Sequence, residues 1–170
     1  DGTDAAALTR AEQVCRSQLT PIVDFLRAYV PGYAHCYVVS AASMVGIRET
    51  RHFVGMKQLT ESDILSARQF DDWVVRGAHF GFDVHNLTGP SLDKTGVQHR
   101  FPQPDGLLLS GRNISGTHLA HSSFRVMPIC VGIGEACGTA AAIAVRRGIA
   151  PRAVDPAEIQ QLLLREPQPA

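Results

Sequence analysis

Residues 110–147 read SGRNISGTHLAHSSFRVMPICVGIGEACGTAAAIAVRR, and the second half of that stretch predicts one long helix over residues 126–147. Pro128 has the fixed φ and the missing N–H suited to a first helical position, and Gly148 follows the basic pair Arg146 and Arg147, as at a helix stop. Gly132, Gly134 and Gly138 fall in the first three turns, where each costs roughly 1 kcal/mol against alanine, so a compensating reason such as close backbone approach is expected. Gly134 and Gly138 are four apart and share a face that Ala141 and Ala142 continue. A face so bare admits another backbone or a flat ligand. The positive end of the helix dipole and its unpaired N–H groups point toward whatever precedes Pro128, where Arg125 adds a fixed charge. That end suits an anion or a polarised carbonyl.

Composition narrows the classes. A chain of 170 residues can bury one sizeable core, and an apolar fraction of 45% is that of a folded globular protein. Sixteen basic and sixteen acidic residues cancel, without a run of Lys or Arg, so neither nucleic acid nor an anionic membrane is an expected partner. Residues 126–145 approach the length of a membrane span, but Glu135, the three glycines and the many alanines make them weakly apolar, and the segment is read as a buried helix. Cys15, Cys36, Cys130 and Cys137 form no CxxC pair. Cys130 and Cys137, seven apart on one helix face, are too far apart to bridge within the helix, so buried free thiols and a reducing, cytoplasmic compartment are expected. The chain opens on Asp1 with no basic-then-apolar leader, and its beginning is expected to lie outside this sequence.

Taken in order, Thr9 and Glu12 make a capping-box pattern that predicts a helix, with Ala11, Cys15, Ile22, Leu26 and Tyr29 on one side, kinked or split by Pro21 and ended by Pro31 and Gly32. Residues 36–42 (CYVVSAA) predict a buried strand and residues 47–56 a second one. Thr60, with Asp63 three positions on, predicts a helix reaching Gly77 with Ile64 and Trp73 inward. Residues 81–87 read as a strand, 88–106 as a long loop of the kind that binds ligands, and 107–109 as an apolar strand that hands over to Gly111, a place where cofactors bind in open α/β sheets. Asp155 and Pro156 start a last helix through Leu164.

The runs GRNISGTHLAHSSFRVMPICVGIGEACGTAAAIAV, GIRETRHFVG (residues 46–55) and DGTDAAALTRAE (residues 1–12) together resemble the C-terminal half of the bacterial FAD-dependent oxidoreductases related to the fumarate reductase and glutathione reductase flavoproteins. The resemblance covers nearly the whole chain, and its strength lies in the order of the motifs. It implies that the long helix points its N-terminus at the flavin ring, near N1 and the C2 carbonyl. No GxGxxG fingerprint follows a strand and no acidic residue stands ready for an adenosine ribose. The expected fold is therefore α/β, with an α+β substrate portion: the C-terminal part of a two-domain FAD-binding fold whose N-terminal Rossmann half is absent. Residues 1–105 would belong to a substrate or cap domain, 106–150 to the returning segment of the FAD domain, and 151–170 to a C-terminal helix and tail. The strand at Ile47 is placed in a different sheet from the strand at Leu107.

Several side chains are candidates for chemistry. Arg125 could stabilise the negative charge that builds near flavin N1 on reduction, or merely pair with a surface carboxylate. Gly111 and Arg112 stand where relatives carry Gly-Asp or Gly-Glu for the ribityl chain; Arg112 would suit the pyrophosphate or an adjoining acid. Val126, Pro128, Gly132, Gly134 and Gly138 complete the expected cofactor wall. His118 matches the family pattern and is expected to contact flavin or substrate, whereas His121 stands where an apolar residue is usual. Arg48 shares a strand face with the residue two after it, while Glu49 and Arg51 share the other; one face could greet a substrate anion, or form a solvated charge ladder. The leading function is a piece of a flavoprotein in which FAD exchanges a hydride with a small organic substrate held near Arg48 and His85, the missing half of the FAD domain being its partner. Two alternatives are a metallohydrolase built on His118 and His121 with His85 or His99, which lacks HExxH and carboxylate company, and a remnant of the fold without cofactor.

Overall fold

The structure is a computed structural model that describes residues 1–84 and 99–164. Contacts divide the chain into two compact units, Asp1–Thr50 and Arg51–Ala170.

In the first unit the opening helix α1 (Ala5–Ser17) starts four residues before the Thr9 box. Asp4 takes the cap, because its carboxylate accepts from the N–H groups of both Ala6 and Ala7, at 3.1 and 3.2 Å. Thr9 lies inside the helix, its hydroxyl donating to the Ala5 carbonyl. The expected split near Pro21 is present: α1 ends at Ser17, whose carbonyl Pro21 has no N–H to meet, and α2 (Leu19–Tyr29) follows Gln18. Neither helix buries a residue. The strand expected over residues 36–42 does not form, since nothing among the described residues of this unit offers it a ladder. The segment is instead clipped by side chains: Arg27 Nε donates to the Cys36 carbonyl, Arg16 Nη2 to those of Ala42 and Ser43, and the Val45 N–H donates to Glu12 Oε2. Tyr37 and Val39 stay exposed.

In the second unit β1 (Arg51–Val54) is shorter than the expected strand over 47–56, so Arg48 and Glu49 do not lie on it. It pairs in parallel with β2 (His99–Pro102), Phe53 opposite Phe101, and β2 lies inside the stretch expected to be loop. The Thr60–Asp63 capping box is present at α3, but this helix spans only Glu61–Leu65 and stops well before Gly77. Ile64 and Trp73 are half-buried. Residues 81–84 are irregular, and the rest of the strand expected over 81–87 lies outside the described residues. Residues 107–109 are not a strand either: Leu108 packs against the helical core, while the Leu109 carbonyl accepts from the Cys137 thiol. With one two-stranded sheet among the described residues, the chain is mixed and mostly helical, with little strand content, in place of the expected α/β sheet.

The expected long helix forms as α5 (Met127–Arg147), with Val126 at its N-cap, Pro128 in its first turn and Gly148 ending it at φ 64°. Between β2 and α5 lies α4 (His118–Phe124), and after a short 3-10 turn at Pro151–Ala153 comes α6 (Pro156–Leu163), capped as expected by Asp155. The core joins Ala136, Ala140, Ile143 and Ala144 of α5 to Val154 and Ile159. Helix α5 is long and apolar enough to cross a bilayer by length and composition, yet it is not buried all round. Its five buried residues lie on one side, and Met127, Val131 and Val145 on the other are more than two-thirds exposed.

Candidate functional site

Helix α4 is the most enclosed element of the second unit, because every residue after His118 is buried. Thr117 starts it, its hydroxyl accepting from the Ala120 N–H and donating to Glu61 Oε2 at 2.8 Å. Its two serines are matched: the Ser122 hydroxyl donates to the Leu119 carbonyl and that of Ser123 to the Phe80 carbonyl. His121 packs edge-on against His52 at 4.9 Å between ring centroids, and against Phe124 at 5.6 Å. A carbonyl only accepts, so the 3.1 Å contact with Ile114 O places a proton on Nδ1 of His52. His121 thus meets His52, which sequence reasoning did not single out, while His85, expected as a possible partner in a metal site, lies outside the described residues. The signal was weak, since His52 and His121 are 69 positions apart with no shared motif.

One residue after α4 comes the joint that matters for chemistry. Arg125 closes α4 with its backbone N–H on the His121 carbonyl and stands immediately before Val126, the N-cap of α5. Among the described residues no side chain caps α5, so there its first N–H groups are not committed to a capping oxygen. The Arg125 side chain is only 12% exposed, and its Nη2 donates to both the carbonyl and the carboxylate of Asp83, at 3.0 and 2.8 Å. Asp83 was also missed, being 42 positions away and carrying no local signal.

Residues 109–112 run beside the first turns of α5. Ser110 Oγ donates to the Cys130 carbonyl at 3.3 Å and Cys137 Sγ to the Leu109 carbonyl at 3.3 Å. A Cβ on Gly134 would come within 3.3 Å of Ser110 Oγ, so this glycine is what lets the segment lie so close. Gly111 has φ 101°, a conformation that side-chain-bearing residues rarely adopt. Burial pushes the Cys130 thiol up, and the positive charge of Arg112 opposes it by a smaller amount. Burial alone raises Cys137. Both thiols are half-buried, whereas Cys15 is exposed, against the expectation of buried thiols throughout.

The candidates therefore divide. Gly111, Arg112, Arg125, Val126, Pro128 and Gly134 lie at or beside the N-terminal turns of α5. Gly132 instead makes room for Val75, whose methyl would lie 3.2 Å from an added Cβ, and no described residue comes within 4 Å of a Cβ added at Gly138. His118 opens α4, about 9 Å of helix rise away from its C-terminal end. Arg48 is exposed in the first unit, and His85 lies outside the described residues.

A family model described as FAD dependent oxidoreductase matches residues 1–163. The chain belongs to that family. Its cofactor is accordingly FAD, and its coarse function is flavin-dependent oxidoreduction. No curated protein and no solved structure matches the chain. The residues of the flavoprotein fit the group: an uncapped helix N-terminus favours an electron-rich edge, and the absent Cβ of Gly134 together with the turn at Gly111 lets residues 110–112 lie against the first turns of the helix.

Proposed function

We propose that this chain forms part of the substrate domain and the returning, flavin-facing segment of a longer FAD-dependent oxidoreductase that transfers a hydride between FAD and a small organic substrate. The observation that carries the reading is the uncapped start of α5, with the Arg125 guanidinium one residue before its N-cap and residues 110–112 alongside. When bound, FAD supplies the hydride acceptor or donor. Val126 and Pro128 begin the helix whose uncapped N–H groups would donate to the polar edge of the ring, and Arg125 adds a cation where negative charge develops. Gly111 and Arg112 hold the ribityl and phosphate side. Gly134 and Gly138, four apart, make up the bare helix face on this reading, while the space at Gly132 is occupied by Val75 in place of the cofactor. His118 contacts flavin or substrate, and Arg48 and His85 attract a substrate anion.

The same reading assigns residues 1–105 to the substrate or cap domain, 106–150 to the FAD domain and 151–170 to the C-terminal helix and tail. The adenosine half of the site belongs to a Rossmann portion outside this sequence, because no GxGxxG lies within it. The protein is cytoplasmic, with no nucleic-acid or membrane partner, on the balance of its charges and its free thiols. The test is the visible absorption spectrum of the purified full-length protein. Flavin bands that are released on unfolding are the expected result, while a colourless protein that takes up no added FAD would contradict the proposal.

A further inference from the structure

Arg125 is not a bare cation. Its guanidinium is nearly enclosed, and the same Nη2 donates to the main-chain carbonyl and to Oδ2 of Asp83, so one residue holds it by two acceptors of which only one is charged. The neighbouring hydroxyl of Ser123 donates to the carbonyl of Phe80, three residues before Asp83. The stretch carrying Asp83 is thereby pinned to the end of α4 at two points. The ion pair is 2.8 Å long, with the guanidinium 12% and the carboxylate 46% exposed, so water screens the carboxylate in part and it offsets part of the field that Arg125 would otherwise project. A carbonyl alone would suffice to orient the guanidinium. The carboxylate adds charge, and charge is what a redox cofactor senses.

We propose that Asp83 is a positioning and charge-tempering residue: it holds the Arg125 guanidinium at the α4–α5 junction and offsets part of its charge, setting how much more tightly the protein binds reduced than oxidised FAD. The inference rests on the reading that Arg125 faces the flavin. Asp83 itself is not a catalytic residue, since it acts through Arg125. Asp83→Asn separates its two roles, because the amide oxygen and the unchanged main-chain carbonyl still accept from Nη2 while the negative charge is gone.

The experiment is the two-electron midpoint potential of FAD in the full-length protein and in Asp83→Asn, Asp83→Glu and Arg125→Gln. Asp83→Asn should favour the reduced state by on the order of tenfold, a rise of about 30 mV for a two-electron couple. Asp83→Glu, which keeps the charge, should stay near the parent, and Arg125→Gln should move the potential downward. An unchanged potential in Asp83→Asn beside a lowered one in Arg125→Gln would overturn the tempering role and leave the reading of Arg125 standing. A fall in Asp83→Asn would overturn it too, showing that the residue acts only by holding the guanidinium in place. An unchanged potential in Arg125→Gln would remove the reading of the site and this inference with it. Should Asp83→Asn fail to fold, Asp83→Ser makes the same charge change in a smaller side chain and is read in the same way.

Discussion

The two units are held together by different means. In Asp1–Thr50 no residue is buried, and the two helices rest on local devices: the Asp4 cap, the Glu12–Arg16 pair one turn apart, and side chains that clip the loop to the helices. In Arg51–Ala170 helix α4 and one face of α5 are enclosed by apolar neighbours, and even the buried polar side chains of Ser122 and Ser123 find carbonyls. Local signals thus suffice to form a helix in this chain, but tertiary packing decides which helix can carry a site. A cofactor wall needs the second kind, because groups must be held to within a fraction of an ångström while the ligand comes and goes.

The contrast is broken most sharply by paired truncations. Phe124 is 3% exposed within the α4 cluster, so Phe124→Ala should cost about 3–5 kcal/mol. Phe25, on α2, is 57% exposed and touches Tyr29 at 5.1 Å between centroids, so Phe25→Ala should cost about 1 kcal/mol or less. Equilibrium urea denaturation of the two variants measures both, and comparable losses would show that the first unit has a core of its own.

Acid sharpens the same contrast within the second unit. The Asp63 carboxyl is held below the usual carboxylate range by hydrogen bonds from the Thr60 hydroxyl and N–H and by Arg68, and Asp72 by a hydrogen bond from Lys57. Groups lowered on folding stabilise the fold fully above their unfolded value of about 4, and the contribution fades as pH falls through the lower folded values. Stability should accordingly drop below about pH 4. Asp63→Asn should flatten that acid limb, which a pH series of melting temperatures would register.

The smallest effect is expected on the open side of α5. Among the described residues nothing stands within 4 Å of a Cβ added at Gly138, so Gly138→Ala should stabilise the helix by up to about 1 kcal/mol. A loss of stability on thermal melting would mean that this glycine is packed against something after all.

What the sequence made legible follows the same division. The bounds of α5 were readable because Pro128 and Gly148 act locally, and so were the Thr60–Asp63 box and the Asp155 cap. The segment at residues 36–42 has the β-branched composition of a strand, but a strand requires a partner, and composition cannot supply one. The same holds for residues 107–109, which pack on helices without a ladder. Gly134 was readable as a place of close approach, although Ser110 as its neighbour was not. Gly132 proved to accommodate Val75, and Asp83 and His52 were invisible because their contacts span tens of residues. Distance along the chain, more than residue type, separated what could be read from what could not.

The central claim is that the first turns of α5 form the wall of the FAD site, and Gly134→Leu in the full-length protein tests it most directly. A large side chain placed against Ser110 Oγ should push residues 110–112 off the helix and fill the approach, an overpacking that costs on the order of 1–3 kcal/mol. Flavin content and melting temperature, measured on the same preparation, read the outcome. The account predicts a folded protein that has lost its flavin, whereas a stabilised and fully yellow protein would show that the cofactor lies elsewhere.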